Sequence, residues 1–100
     1  MQTLSGSQQG KTLTITVGET LGADLFQRFR QLYEAPAAAV DTYVVDLAKT
    51  RHLSSAGGSM LLLLREHAGG ERDHVHLVNA DTAVRQDLKA MNFDLLFAVA

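Results

Sequence analysis

Hydrophobic and polar positions change period several times along this chain of 100 residues, and each change marks an element. From Thr12 to Val17 the alternation is strict, with Leu13, Ile15 and Val17 on one face and Thr12, Thr14 and Thr16 on the other. That is the pattern of a half-buried strand rich in β-branched residues. Gln8-Gln9-Gly10 reads as a turn, which makes Gln2 to Ser7 a preceding hairpin strand. From Ala23 the period lengthens. Leu25, Phe26, Phe29, Leu32 and Tyr33 fall at helical spacing, while Asp24, Gln27, Arg28, Arg30 and Gln31 take the other face. Pro36 limits that helix, because the residue before a proline is pushed out of the helical region. Tyr43-Val44-Val45-Asp46-Leu47 is a short β-rich run suited to a buried strand.

A second helix is expected over about Ala56 to Ala68, with Ser54 or Ser55 as its N-cap and Gly69-Gly70 as its stop. Four consecutive leucines, Leu61 to Leu64, make this helix apolar around most of its girth. It should therefore be covered by a sheet on one side and by a neighbouring helix or a partner on another. His74 to Val78 returns to strand, and Asp81 caps a third helix that buries Val84, Leu88 and Met91. Leu95-Leu96-Phe97-Ala98-Val99 is a last strand or a docked helix.

The order β-β-α-β-α-β-α-β predicts an α/β fold: a mixed sheet of four to five strands with three or more helices. Successive βα units imply parallel strands joined by right-handed crossovers, and the initial hairpin supplies the antiparallel pair. With so few helices the sheet should be covered mainly on one face, which leaves the Thr12, Thr14 and Thr16 side to solvent.

Composition narrows the class. The length suits one domain spanning residues 1–100. Hydrophobic residues at 46% and charged residues at 20% fit an ordinary globular chain and not a disordered one. A net charge of −2, with basic and acidic residues interspersed, offers no basic stripe for nucleic acid. There is no cysteine, so disulfides, thiol redox chemistry and thiolate metal sites are excluded. Met1 to Gly6 shows no basic segment followed by an apolar run, and the longest apolar stretch, Met60 to Leu64, is far short of the roughly 20 residues of a membrane span. The expectation is a cytoplasmic protein with no direct membrane insertion.

The candidate chemistry centres on His52-Leu53-Ser54-Ser55-Ala56-Gly57-Gly58-Ser59-Met60, where a strand's exit loop enters a helix. Unsatisfied N–H groups and the positive end of the helix dipole favour an anion or phosphoryl group there. The plainer reading makes Ser54 or Ser55 only a cap, with Gly57 and Gly58 permitting tight helix–sheet packing. Two glycines in a first turn cost roughly 1 kcal/mol each against alanine. Close backbone approach, by the chain's own sheet or by a partner, would account for that cost. Other chemistry is weaker. His74 and His76, at i and i+2, are two ligands where zinc usually needs three or four, and they read as solvated edge histidines; no metal is expected. Gly57-Gly58-Ser59-Met60-Leu61 lacks the second glycine of G-x-S-x-G, and no P-loop is present. No complete catalytic set emerges and no cofactor is expected, so an enzyme ranks last.

Val44-Val45-Asp46-Leu47, then His52-Leu53-Ser54-Ser55-Ala56, then Met60 through Leu64 resemble the core motif of STAS domains, the single-domain regulators called anti-sigma factor antagonists or anti-anti-sigma factors. Leu77-Val78-Asn79, Val84-Arg85, Leu88 and the ending Asn92 to Phe97 are similar to the same family. The resemblance is carried by residues from about Val44 to Val99; over the first forty only the strand–helix order agrees. It implies an interaction module in signal transduction and regulation of transcription. Leu53, Ser54, Ser55, Ala56, Gly57, Gly58 and Ser59 would bind an anti-sigma factor or a serine-kinase-like protein, with a PP2C-type phosphatase as a further partner. In the family this helix opens with an acidic residue and two serines, the second being phosphorylated. Spacing from both flanks places Ser54 at the acidic position, Ser55 at the first serine and Ala56 at the usual acceptor. Alanine cannot be phosphorylated. Either the domain stays permanently in its binding form, the favoured outcome, or a kinase uses Ser55 or Ser54 instead. The alternative function the resemblance implies is an accessory subunit of an ABC-type lipid transporter.

Overall fold

Strand β2 (Thr12–Val17) follows the alternation read from the sequence, and it pairs antiparallel with β1 (Leu4–Gln9) from Leu4↔Val17 to Gln9↔Thr12. The computed structural model describes residues 4–36 and 39–100. Gln2 and Thr3, expected in the first strand, lie outside the described residues, and β1 runs on through Gln8 and Gln9. The hairpin therefore turns two residues later than expected, at Gly10-Lys11. Gly10 takes φ +59°, the left-handed conformation that tight two-residue hairpin loops demand.

A 3-10 turn (Ala23–Leu25) leads into helix α1 (Phe26–Glu34), whose Phe29 and Tyr33 face inward. Strand β3 (Thr42–Asp46) pairs parallel with β2. Helix α2 (Ser55–His67) ends at Gly69, φ +102°, where the Gly70 amide donates back to the Arg65 carbonyl at 2.9 Å. That backward bond across a left-handed glycine closes the last turn. Strand β4 (Val75–Val78) pairs parallel with β3, helix α3 (Thr82–Ala90) starts at the Asp81 cap, and β5 (Ala98–Val99) pairs parallel with β4. The result is a five-stranded mixed sheet in the order β1-β2-β3-β4-β5.

Pleating sorts the strand residues. Leu13, Ile15, Val17, Tyr43, Val45, Val75 and Leu77 are buried in one core with Phe29, Met60, Leu61, Leu64, Val84 and Leu88 from the three helices. Each such aliphatic or aromatic side chain contributes roughly 1.5–3 kcal/mol by leaving water. The opposite pleat carries Thr12, Thr14, Thr16, Val44, His76 and Val78, all partly exposed. Among the described residues the three helices thus share one face and the other stays uncovered. The leucine run divides likewise: Leu61 and Leu64 are fully buried, Leu62 and Leu63 partly exposed.

Two expectations are corrected. His74 belongs to a 3-10 turn (Arg72–His74) and not to the strand, and its Nδ1 lies 2.7 Å from the Ala68 carbonyl, which fixes the proton on that nitrogen because a carbonyl only accepts. His76 is half-buried on β4, which has neighbours on both sides. Neither is a solvated edge histidine. The His67 ring lies 4.9 Å from that of Tyr33 in a tilted contact and 5.9 Å from that of Tyr43 edge-on, and burial pushes both phenols above their ordinary pKa. The tail is neither of the simple alternatives. After α3 a succession of turns, with Asn92 at φ +60°, buries Phe93 and Phe97 before the two-residue strand.

Candidate functional site

The loop between β3 and α2 is held at Leu47, Thr50, Arg51 and Leu53 by bonds to other elements. The Leu47 amide donates to the Val78 carbonyl at 2.9 Å, and Asp46 Oδ1 accepts from the Ala48 amide at 3.0 Å and from Asn79 Nδ2 at 3.1 Å. Thr50 is buried, and its hydroxyl donates to the Gly18 carbonyl at 2.9 Å. The Arg51 amide donates to the Glu19 carbonyl at 2.9 Å and the Leu53 amide to Asp87 Oδ2, on α3, at 3.1 Å. These bonds tie the loop to the carboxyl ends of β2, β3 and β4 and to α3. Sequence reasoning gave Thr50 and Asp87 no role and named Asp46 and Asn79 only as part of the motif, because the partners that Thr50, Asp87 and Asn79 hold lie 32 to 34 residues away and no local pattern announces them.

The helix start then takes a defined shape. Ser54 is the N-cap: its Oγ accepts from the Gly57 amide at 3.2 Å, and its carbonyl accepts from the Gly58 amide at 2.8 Å. Ser55 opens the first turn with an exposed hydroxyl that has no partner among the described residues. Ser59 is exposed and donates to the Ser55 carbonyl at 3.1 Å. Ala56 is half-exposed between these serines. Among the described residues no histidine or carboxylate hydrogen-bonds Ser54, Ser55 or Ser59.

Burial redraws the expected binding set. Leu53, Gly57 and Gly58 face inward. A Cβ on Gly57 would stand 2.6 Å from the Leu21 carbonyl oxygen, and one on Gly58 would stand 2.9 Å from Met91 Sδ and 3.4 Å from Phe93. The glycines let α2 settle on the Leu21 backbone and on the segment after α3, and they are corrected here from surface residues to packing residues. The face offered outward is Ser54, Ser55, Ala56 and Ser59, continuing along α2 through Leu62, Leu63 and Glu66. Beside it, at the carboxyl ends of β2 and β3, lies an open groove of about 510 Å³ lined by Gly18, Glu19, Lys49, Thr50, Arg51 and Asp81. Among the described residues no three potential metal ligands cluster, and no helix is long and apolar enough to cross a membrane.

Removal of the cap gives a direct check on this geometry. Ser54→Ala should cost about 1 kcal/mol, lowering Tm by roughly 4–8 °C in a domain of this size. Ser55→Ala, which loses no bond, should shift stability by less than ~0.5 kcal/mol. Thermal unfolding of the two variants would reverse that ranking if Ser55 were the cap.

A hairpin-led, otherwise parallel sheet with all helices on one face, and a serine-bearing helix start at its carboxyl edge, defines a STAS domain. The chain belongs to that family: the family model described as "Mlab, STAS domain" matches residues 4–98. It is 40% identical over 94 residues to a STAS-domain containing protein of Pseudomonas aeruginosa (strain UCBPP-PA14), covering 94% of this chain and 93% of that one. Its fold is that of an anti-sigma factor antagonist from Mycobacterium paratuberculosis, with a TM-score of 0.78 at 18% identity over 99% of this chain and 85% of the other. It is likewise that of the anti-sigma factor antagonist SpoIIAA in its unphosphorylated form, with a TM-score of 0.81 at 15% identity over 98% of this chain and 88% of the other.

Proposed function

We propose that this STAS domain is a binding regulator of the anti-sigma factor antagonist kind, which docks an anti-sigma factor or a serine-kinase-like protein on the outward side of the α2 start. The observation that carries this reading is the surface itself. Ser54, Ser55, Ala56 and Ser59 form a small, neutral, outward-facing patch on a rigidly held helix start. A phosphate in that first turn would add about −1.5 to −2 charges, which a helix N-terminus tolerates and a partner seated over it does not. The fold survives such a change while the complex is lost.

Ala56, standing where the family's acceptor serine is expected, leaves the patch uncharged and the domain permanently competent to bind. Ser55 is the nearest substitute acceptor, since its hydroxyl is exposed and has no partner among the described residues, whereas that of Ser54 holds the cap. A PP2C-type phosphatase has work here only if Ser55 or Ser54 is used.

The test incubates the protein with its kinase-like partner and ATP, then reads intact mass and complex formation together. The wild type should keep its mass and its partner, and Ala56→Ser should gain one phosphate and release the partner. Phosphate on wild-type Ser55 or Ser54 would end the claim of permanent competence. The same face would serve an accessory subunit of an ABC-type lipid transporter, and the recovered partner discriminates: a transporter ATPase for that reading, a kinase-like or anti-sigma protein for the first.

A further inference from the structure

Most arginines of this chain are engaged by its own fold. Arg28 donates to the Leu4 carbonyl at 3.2 Å, Arg65 to that of Leu96 at 3.0 Å, Arg72 to that of Asp94 at 3.3 Å, Arg85 to that of Ala80 at 3.0 Å, and Arg30 pairs with Glu34 at 3.0 Å. Arg51 differs. Its guanidinium is exposed and has neither a hydrogen bond nor an ion pair among the described residues, and the same holds for the ammonium of Lys49 two positions earlier.

The backbone beneath these two cations is unusually well held. The Thr50 side chain between them is buried and bonded to Gly18, the Thr50 amide donates to the Leu47 carbonyl at 3.0 Å, and the Arg51 amide donates to Glu19. A planar guanidinium on a fixed base loses less freedom on binding than one on a mobile loop, and its fork matches a carboxylate in two-point contact. Both cations line the groove at the carboxyl ends of β2 and β3, and the same loop reaches the Ser54 cap three residues after Arg51. Two acids share the groove. Asp81 already accepts from the Val84 amide at 2.9 Å, and Glu19 forms no ion pair with Arg51. The α2 face beside the groove is neutral from Ser54 to Leu63. Within a groove that carries two cations and two carboxylates, Asp81 is committed to the α3 N-terminus, which offsets its charge, and Arg51 and Lys49 are left as cations without a partner among the described residues.

We infer that Arg51 and Lys49 receive an acidic segment, an aspartate- or glutamate-bearing stretch of the protein partner that seats on the α2 start. This rests on the docking reading above and adds what the partner must carry: carboxylates set to one side of the surface that covers Ser55 and Ala56. Glu19 is the opposing charge, so its neutralisation strengthens the contact.

Two measurements test it. In the first, a hexaglutamate peptide is titrated at low salt into the isotopically labelled protein. Amide shifts are expected at Gly18, Glu19 and residues 49–53, lost in Arg51→Glu and kept in Lys11→Glu, a charge reversal at the opposite end of β2. Absence of shifts there, their survival in Arg51→Glu, or equal shifts from inorganic phosphate alone at the same concentration would overturn the assignment to a carboxylate segment. In the second, the partner complex is measured directly. Arg51→Glu should weaken it roughly ten- to a hundredfold, the scale of one charge-assisted contact, and flatten its salt dependence, while Glu19→Gln tightens it. A complex broken by Ser59→Trp and untouched by Arg51→Glu would refute this inference and leave the docking face standing. The reverse pattern would refute the docking face and leave the groove.

Discussion

Phe97→Ala is expected to cost about 3–5 kcal/mol of stability, whereas Leu95→Ala, two residues away, should change it by less than ~0.5 kcal/mol. Both are large apolar residues in one apolar run, and the difference lies in what each touches. Phe97 is fully buried, with its ring 5.0 Å from that of Phe93, and Leu95 is 69% exposed. Phe93 in turn sits under Gly58 of α2. Removing the Phe97 ring leaves a cavity between the sheet and the α2 start that rigid neighbours cannot fill. The last residues complete the fold there: Ala98–Val99 pairs alongside β4 as β5, and the Ala100 amide donates to the Leu77 carbonyl at 3.0 Å. A domain of this size has about 5–15 kcal/mol in total, so Phe97→Ala should bring the urea midpoint down by roughly a fifth or more. Equal midpoints for the two variants would show that the tail is not part of the core.

Why the tail was illegible follows from the same contrast. Periodicity identifies an element only where buried and exposed positions differ in kind. Leu13, Ile15 and Val17 alternate with threonines, and β2 was read to the residue. Leu95 to Val99 is apolar throughout, although Leu95 faces water and Phe97 the core, so neither a strand period nor a helix period could be extracted. The histidines failed for a related reason. His74 and His76 fit the alternation of a strand, but the bond from the His74 ring to the Ala68 carbonyl completes the exit from α2, a contact no strand pattern contains. The two exposed leucines of α2 were indistinguishable from their buried neighbours Leu61 and Leu64 until the sheet assigned a face.

The site was legible as a place and not as a surface. Capping chemistry located the helix start, and the geometry chose Ser54 over Ser55. What the sequence could not divide was the segment 53–59, in which burial separates Leu53, Gly57 and Gly58 from Ser54, Ser55 and Ser59. The restraints that make this start rigid, Thr50 on Gly18 and Asp87 on the Leu53 amide, are long-range side-chain bonds. On the function proposed above, a rigid helix start is what would let one phosphate, or one methyl in its place, decide whether a partner fits.

The two glycines carry the second large prediction. On helix propensity alone, alanine at either position would gain about 1 kcal/mol. At Gly57 the added methyl would lie 2.6 Å from the Leu21 carbonyl oxygen and 3.0 Å from Leu53 Cδ1. Leu21 is 1% exposed, so its backbone has nowhere to go and the first turn of α2 must lift. Overpacking of this kind costs up to about 3 kcal/mol, and Gly57→Ala should lose roughly 1–2 kcal/mol net, several degrees in Tm. At Gly58 the nearest atom is Met91 Sδ at 2.9 Å, the far end of a flexible, half-buried side chain that can swing aside. Gain and cost there nearly cancel, so Gly58→Ala should unfold close to the wild type. Because Gly57→Ala displaces the patch from Ser54 to Ser59 without altering any exposed side chain, it should also weaken the partner complex when measured well below its Tm. A Gly57→Ala protein as stable as wild type, with a Gly58→Ala protein that is not, would mean that α2 does not rest on the Leu21 backbone, and the position of the whole docking face would have to be redrawn.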